Sequence, residues 1–530
     1  MRDDIELCST MRIRFWGTRG SIATPGPNTS RYGGNTSCIE VRSARGTLVV
    51  IDCGTGGRSL AQKLMADDGG RRGSILISHT HWDHIQGIPF FDPLYVPGNE
   101  WHVYGPKGLR ESVHEALAGQ MEYTYFPVPL DGCAANIHYH DLIEGSFAID
   151  DISVSARYLN HPALTLGYRL QVDGATLVYA CDHEPYSRAL GLGDGGIVGQ
   201  DLEHAEFVRG ADLLIHDGQY TAQEYPTKIG WGHSPVEYVV KLAELASVKR
   251  LALTHHDPRR DDNAIDRLIA SMRQTSSLDI FAASEGQVVA LEPRAFKEAI
   301  DVREGSAEIP AEQKSPSPVV LLTIADPRVS TTVSDALKAE SIVARSLENV
   351  DATSLSFLKE RPALVIIEHA PPRIDGIALC RALRQHAPER RLPVLLVAEH
   401  EHADAVTGAG VSDWLIKPFT TAHIRTKVRT WLLRNAPKRV KRRSYVDEMH
   451  PSPILQLVST SGNRPADKIE ELVHVLQKTS AREQRGVSSD EPNLARTYGR
   501  EIAAFDTPTF GKRLGRIITE ATSRVVRKAS

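Results

Sequence analysis

The chain has 530 residues, too many for one ordinary core, so two or three domains are expected. A hydrophobic share of 41%, a charged share of 24% and a net charge of -4 fit a soluble globular protein and exclude a strongly basic, polyanion-binding composition. No run of about 18 apolar residues occurs, and the opening MRDDIELCST lacks the basic start and apolar centre of a signal peptide, so a cytoplasmic protein is expected.

Met11 begins the first strand-like segment, MRIRFWG, which makes residues 1–10 an N-terminal extension, with translation from Met11 as an alternative. Short apolar runs then recur up to about Pro293: TLVVID, GSILIS, TLVYACD, DLLIHD and RLALTHH. Each ends in polar or ionisable residues, the pattern of buried strands whose ends carry a site. Helical stretches lie between them, for example PVEYVVKLAELA from Pro235 to Ala246. The first domain is drawn at 11–300. A linker rich in Pro, Ser and Glu follows at 301–317, then a second block at 318–435 alternating VVLLTIAD, ALVIIEH, PVLLVAE and DWLIKP with helical segments. That alternation predicts a small parallel α/β domain. Residues 436–530 open on PKRVKRRS and carry seven more basic than acidic residues, which predicts a solvated, largely disordered basic tail. Within it, ADKIEELVHVLQK at 466–478 has helical spacing that suits a partner helix. Six scattered cysteines without a CxxC pair read as reduced thiols.

The chemistry concentrates in ISHTHWDHIQG, residues 77–87. His79 and His81 alternate around Thr80, and Asp83 and His84 enter a helix start, so one short loop can turn all four inward. Imidazole and carboxylate together suit Zn²⁺ or similar metals, and four such groups exceed the three protein ligands of one catalytic zinc, which favours two cations.

This motif resembles the HxHxDH signature of the metallo-β-lactamase superfamily, and the resemblance runs from Met11 to about Pro293. It implies an αββα sandwich. It also implies two divalent ions, zinc foremost with manganese or iron as alternatives. By resemblance His79, His81 and His161 hold one ion and Asp83, His84 and His255 the other. Asp182 bridges them, and Asp52 supports the ligand loop from behind. His256, beside His255, competes for the last role; His255 is preferred because it directly follows the strand and Thr254. A hydroxide shared by the ions is the implied nucleophile, oriented in part by Asp83.

Among members of the superfamily, zinc β-lactamases lack the bridging carboxylate that Asp182 supplies, and diiron members carry Glu where His81 stands. LLIHDGQY and GWGHSP resemble motifs of the tRNA-processing nucleases and cyclic phosphodiesterases, which implies Asp217 and His233 as a carboxylate-supported general acid. The competing reading makes His233 a cap for the helix near Pro235, a role Ser234 fits better. The nucleases resembled here carry a long arm between the third histidine and the bridging aspartate; the short His161–Asp182 span favours a small or cyclic phosphodiester and disfavours nucleic acid. The opening FWGTRGSIATPGPNTSRYGGNTSC is read either as a loop over the site, with Arg19 or Arg31 meeting a phosphate, or as turn residues with surface arginines.

The second block resembles a flavodoxin-like (βα)5 two-component receiver. IIEHAPPRIDG puts Glu368 at the acceptor position, and IKPF supplies Lys417. The first-strand acidic pair is reduced to Ala325 and Asp326, and Ala398 replaces the fourth-strand hydroxyl residue. A pseudo-receiver is therefore expected, one that binds a signalling protein or forms a homodimer without being phosphorylated. The resulting expectation is a bacterial, cytoplasmic, dinuclear phosphodiesterase regulated or localised by a degenerate receiver. A signalling scaffold with a structural metal site is the first alternative, and a thioester or lactone hydrolase the second.

Overall fold

The structure is a computed structural model that describes residues 10–292 apart from 68 and 110, together with 318–347, 362–386, 392–399 and 410–435. The expected linker, most of the N-terminal extension, the basic tail and the helical stretch at 466–478 lie outside the described residues.

The first sheet contains β1 (Met11–Gly17), β2 (Cys38–Arg42), β3 (Leu48–Ile51), β4 (Arg72–Leu76), β5 (Glu100–Pro106) and β6 (Asn136–Leu142). The second contains β7 (Gly145–Ile149), β8 (Ile152–Tyr158), β9 (Leu166–Val172), β10 (Ala175–Ala180), β11 (Leu213–Asp217), β12 (Arg250–Thr254) and β13 (Asp279–Ala282); β14 (Val288–Leu291) returns to the edge of the first. The orders are β14-β1-β2-β3-β4-β5-β6 and β13-β12-β11-β10-β9-β8-β7.

Alternation assigns the faces. Val49 and Ile51 of β3 join Val154, Leu166 and Ile215 in the core between the sheets. Val50 turns the other way, onto Leu60 and Leu64 of α1 (Gly56–Asp67) and Leu117 of α3 (Val113–Gln120). Leu214 of β11 likewise faces α5 (Gly199–Val208), α6 (Val236–Leu245) and α7 (Asp262–Thr275) through Val208, Val239 and Ile265. The layers are helix, sheet, sheet, helix, as the resemblance implied. The short α2 (Trp82–Ile85) and α4 (Arg188–Gly191) lie in loops.

Residues 318–435 build a separate parallel sheet from β15 (Val319–Thr323), β16 (Val343–Ser346), β17 (Leu364–Glu368), β18 (Val394–Ala398) and β19 (Asp413–Ile416), ordered β16-β15-β17-β18-β19. This is the 2-1-3-4-5 order of flavodoxin-like folds. Helices α8 (Pro327–Ala339) and α10 (Thr421–Arg434) pack one face through Val333, Leu337, Ile424 and Val428. Leu379 and Leu383 of α9 (Gly376–His386) cover the other.

The two sheet systems pack together as parts of one unit, where the sequence suggested only a tether. Leu433 of α10 enters the core between the first two sheets. Arg434 is buried against Glu144 at 2.8 Å, Arg188 Nη2 donates to the Ile416 carbonyl at 2.9 Å, and the Thr426 hydroxyl donates to the Pro162 carbonyl. Among the described residues, no helix is long and apolar enough to cross a membrane.

Candidate metal centre

Parallel strands deliver the site. Asp52 follows β3, the His79–His84 loop follows β4, Asp182 follows β10, Asp217 ends β11 and His255 follows β12. All project from the carboxyl ends of their strands, where open α/β sheets carry ligand sites. His161 joins them from the loop after β8. Asp52, Asp182 and His255 all sit at positive φ, 56°, 61° and 56°. Strain of about 1–3 kcal/mol per residue is tolerated where the surrounding structure fixes a functional position.

The geometry brings together every metal-ligand residue expected from the sequence. His79, His81, His161 and Asp182 offer ligand atoms within 4.8 Å of one another, and Asp83, His84 and His255 form a second such group. Asp182 divides between them. Its Oδ2 lies 3.5 Å from His79 Nε2 and 3.6 Å from His161 Nε2; its Oδ1 lies 3.3 Å from His84 Nε2 and 3.2 Å from His255 Nε2. His256 takes no part, because its Nε2 bonds the Ala283 carbonyl at 2.9 Å.

Asp52 stands behind this set. Its carboxylate accepts hydrogen bonds from the Ser78 amide at 2.7 Å, the Ser78 hydroxyl at 2.8 Å and the Tyr179 hydroxyl at 2.6 Å, and meets His84 Nδ1 at 2.7 Å. Such support fixes the ring so that Nε2 faces inward. The Ser21 amide donates to Asp83 Oδ2 at 2.7 Å, so the opening loop does reach the site.

A cation fits these residues. His79 Nε2, which faces Asp182, is buried without a hydrogen-bond partner, a costly state for a ring nitrogen unless an ion completes it. Burial, the largest influence, drives His79 and His81 below the usual histidine range and His161 down to about 3, leaving neutral rings with a lone pair to give. For Asp83 and Asp182 burial works toward protonation, but the surrounding histidines outweigh it and hold both carboxylates well below their usual range.

His233 Nδ1 lies 3.4 Å from Asp217 Oδ2 and 3.9 Å from Asp182 Oδ2, and its ring stacks on His255 with centroids 4.9 Å apart. Asp217 is fixed by the His183 and Ser234 amides at 3.2 and 3.0 Å. Neither His233 nor Ser234 caps α6; the cap residue is Pro235 without a side-chain bond, and the Ser234 hydroxyl donates to the His183 carbonyl. Two further expectations are corrected. Arg19 is fully buried and bonds the carbonyls of Gly33, Asp257 and Arg260, so it braces the loop instead of meeting a phosphate. Arg31 is tied to Asp266 at 2.7 Å and faces α7.

Two contributors escaped the sequence reading. The Gly232 carbonyl accepts from His161 Nδ1 at 2.9 Å, and Gly232 sits at φ 87° with a Cβ position only 2.2 Å from that ring, so no other residue fits. Glu184 anchors this loop by accepting from the Gly230 and Gly232 amides and the Tyr225 hydroxyl at 2.7, 2.8 and 2.7 Å. The signals were present, a glycine before His233 and an acid two residues after Asp182, but their roles pass through backbone atoms.

In the second sheet system, Glu368 ends β17, and both its oxygens are engaged. Oε1 meets Lys417 Nζ at 2.6 Å, and Oε2 accepts from the Ala325 and Asp326 amides at 2.7 and 3.0 Å. Asp326 turns its own side chain to cap α8.

Residues 47–256 match the model of the beta-lactamase superfamily domain, and 320–429 that of the response regulator receiver domain. These matches identify a β-lactamase-superfamily domain followed by a receiver domain, and with its histidine and aspartate clusters the first is a metal-dependent hydrolase. Ribonuclease BN of Cronobacter sakazakii is 26% identical over 319 residues, which are 52% of this chain and 97% of that protein. Ribonuclease Z of Bacillus cereus is 25% identical over 310 residues, 50% and 95% of the two chains. Among solved structures, human tRNase Z, short form, has 23% identity, covers 52% of this chain and 98% of its own, and gives a TM-score of 0.37. A diphosphatase of the PhnP family has 18% identity, covers 53% and 98%, and gives 0.39. Both curated relatives are ribonucleases by name, so the expectation that nucleic acid is disfavoured finds no support among them.

Proposed function

We propose that the hydrolase domain is a dinuclear phosphodiesterase. The observation that carries this reading is the division of Asp182, one oxygen toward His79 and His161 and the other toward His84 and His255. His79, His81 and His161 would hold one divalent cation, zinc by ligand type, and Asp83, His84 and His255 the other, with Asp182 shared. Bound cations of this kind supply Lewis acidity and bring the pKa of a water molecule toward neutrality.

The chain's own residues do the rest. The Gly232 carbonyl holds the Nδ1 proton of His161, and Asp52 holds that of His84, so both rings present Nε2 inward. The Ser21 amide steadies Asp83. His233 stands as the general acid: burial opposes its charge, but Asp182 and Asp217 outweigh that and hold its pKa above the usual range. With Nδ1 turned to Asp217, Nε2 is the atom that passes a proton to the leaving oxygen.

The substrate reading favours a small or nucleotide-bearing phosphodiester. The span from His161 to Asp182 holds one tight hairpin, β9 to β10, with Val172 paired to Ala175. Trp82 and Trp231, adjacent in sequence to Asp83 and Gly232, are 74% and 55% exposed, which suits stacking on a base. The receiver domain is read as a docking module for a signalling protein or a second copy, since Glu368 is already neutralised by Lys417. Hydrolysis of bis(p-nitrophenyl) phosphate, a dinucleotide and a thioester by wild type and Asp182→Ala tests the whole reading. Asp182-dependent cleavage of the phosphodiesters supports it; cleavage of the thioester alone makes this a thioesterase, and no turnover with metal bound favours the scaffold.

A further inference from the structure

Beside the metal-ligand loop lies a cavity of about 190 Å³ that the hydrolytic chemistry does not use. One wall comes from the hydrolase domain: Thr80 between His79 and His81, Pro162 next to His161, and Ser112, which caps α3. The facing wall is α10 of the receiver domain, which contributes Arg425, Thr426 and Arg429. Both guanidinium groups rest on one carboxylate, Glu340 at the end of α8, whose side chain is only 4% exposed. Arg425 uses Nε on Glu340, and Arg429 uses Nε and Nη2. An arginine carries five N–H donors, so Arg425 keeps both terminal amino groups for a ligand. Glu111, exposed at the rim, is the one carboxylate among the residues lining the cavity.

Two cationic forks held by a shared buried acid are pre-organised, and little further ordering is required when an anion arrives. We propose that this cavity is an anion subsite, built from both domains, that takes a second phosphate of the substrate, one unit along from the phosphodiester at the metal ligands. This rests on the phosphodiesterase reading. The receiver domain is then part of the substrate-binding wall. A partner that shifted α10 would change substrate affinity without touching a metal ligand, and the Thr426 hydrogen bond to Pro162 joins that helix to the residue after His161.

The test compares binding of a phosphorothioate-linked uridine dinucleotide with and without a 5′-phosphate to the full chain, by calorimetry. Wild type should bind the 5′-phosphorylated probe about tenfold more tightly. Arg425→Gln, which leaves Arg429 on Glu340, should lose most of that preference, and Arg425→Gln/Arg429→Gln all of it, with unchanged circular dichroism and unchanged hydrolysis of bis(p-nitrophenyl) phosphate. Equal binding of both probes by wild type, or a preference that survives in the double variant, overturns the proposal. An arginine-dependent preference in a protein that cleaves no phosphodiester leaves the subsite standing and removes the hydrolytic reading.

Discussion

Two carboxylates at the carboxyl ends of parallel strands meet opposite fates in this chain. Asp182, after β10, faces imidazole nitrogens on both sides, and the Nε2 of His79 beside it has no hydrogen-bond partner. Glu368, ending β17, has a lysine on one oxygen and two backbone amides on the other. One site leaves a buried nitrogen that a cation would complete; the other is complete without a phosphoryl group or Mg²⁺. The same strand-end geometry therefore yields a reactive centre or a sealed one, according to whether the protein itself satisfies the carboxylate.

The largest expected effect lies at the open site. Asp182→Ala should lower kcat/KM on a phosphodiester on the order of 10³-fold, with Tm measured alongside to exclude unfolding. Gly232→Ala forces a Cβ into the His161 ring and displaces that ring; a loss of about 10²-fold in kcat/KM is expected, with weaker metal retention on gel filtration. Neither change touches the contacts of Glu368 with Lys417 and with the Ala325 and Asp326 amides.

Next comes the joint between the two regions. Arg434→Ala removes the partner of Glu144 and should destabilise the full chain by about 1–2 kcal/mol in urea titration, allowing for the partial exposure of Glu144. Burial pushes Glu144 toward protonation, but Arg434 outweighs it and holds the carboxyl below its ordinary 4.5. That contribution is present above pH 4.5 and is lost as pH falls through the lower folded-state value. Wild type should therefore converge on Arg434→Ala in strong acid, and parallel stability curves would contradict this pair. The smallest effect belongs to the sealed site. Glu368→Asp in the full chain, given a small acyl phosphate and Mg²⁺, should take up no label, because Ala325 and Ala398 still withhold the metal ligand and the hydroxyl. Incorporation of label would break the contrast.

Much of the open site was legible because its histidines and aspartates crowd into one motif, HTHWDH, and stand at the ends of recognisable apolar runs. Glu368 and Lys417 were legible for the same reason. Arg19 was misread because a charged residue in a glycine-rich loop looks exposed, whereas here three carbonyls bury it. Gly232 and Glu184 act through backbone atoms, which sequence patterns do not display. The docking of α10 depends on residues hundreds of positions apart, such as Glu144 and Arg434, and no local periodicity encodes such a pairing.

The most direct measurement is the metal content of the purified chain, wild type against Asp182→Ala, by mass spectrometry with hydrolysis of bis(p-nitrophenyl) phosphate followed on the same samples. Two divalent ions per wild-type chain are expected, fewer in the variant, with activity lost alongside them. A wild-type chain holding one ion or none, or a variant as active as wild type, would contradict the claim that Asp182 joins two cations into the reactive centre.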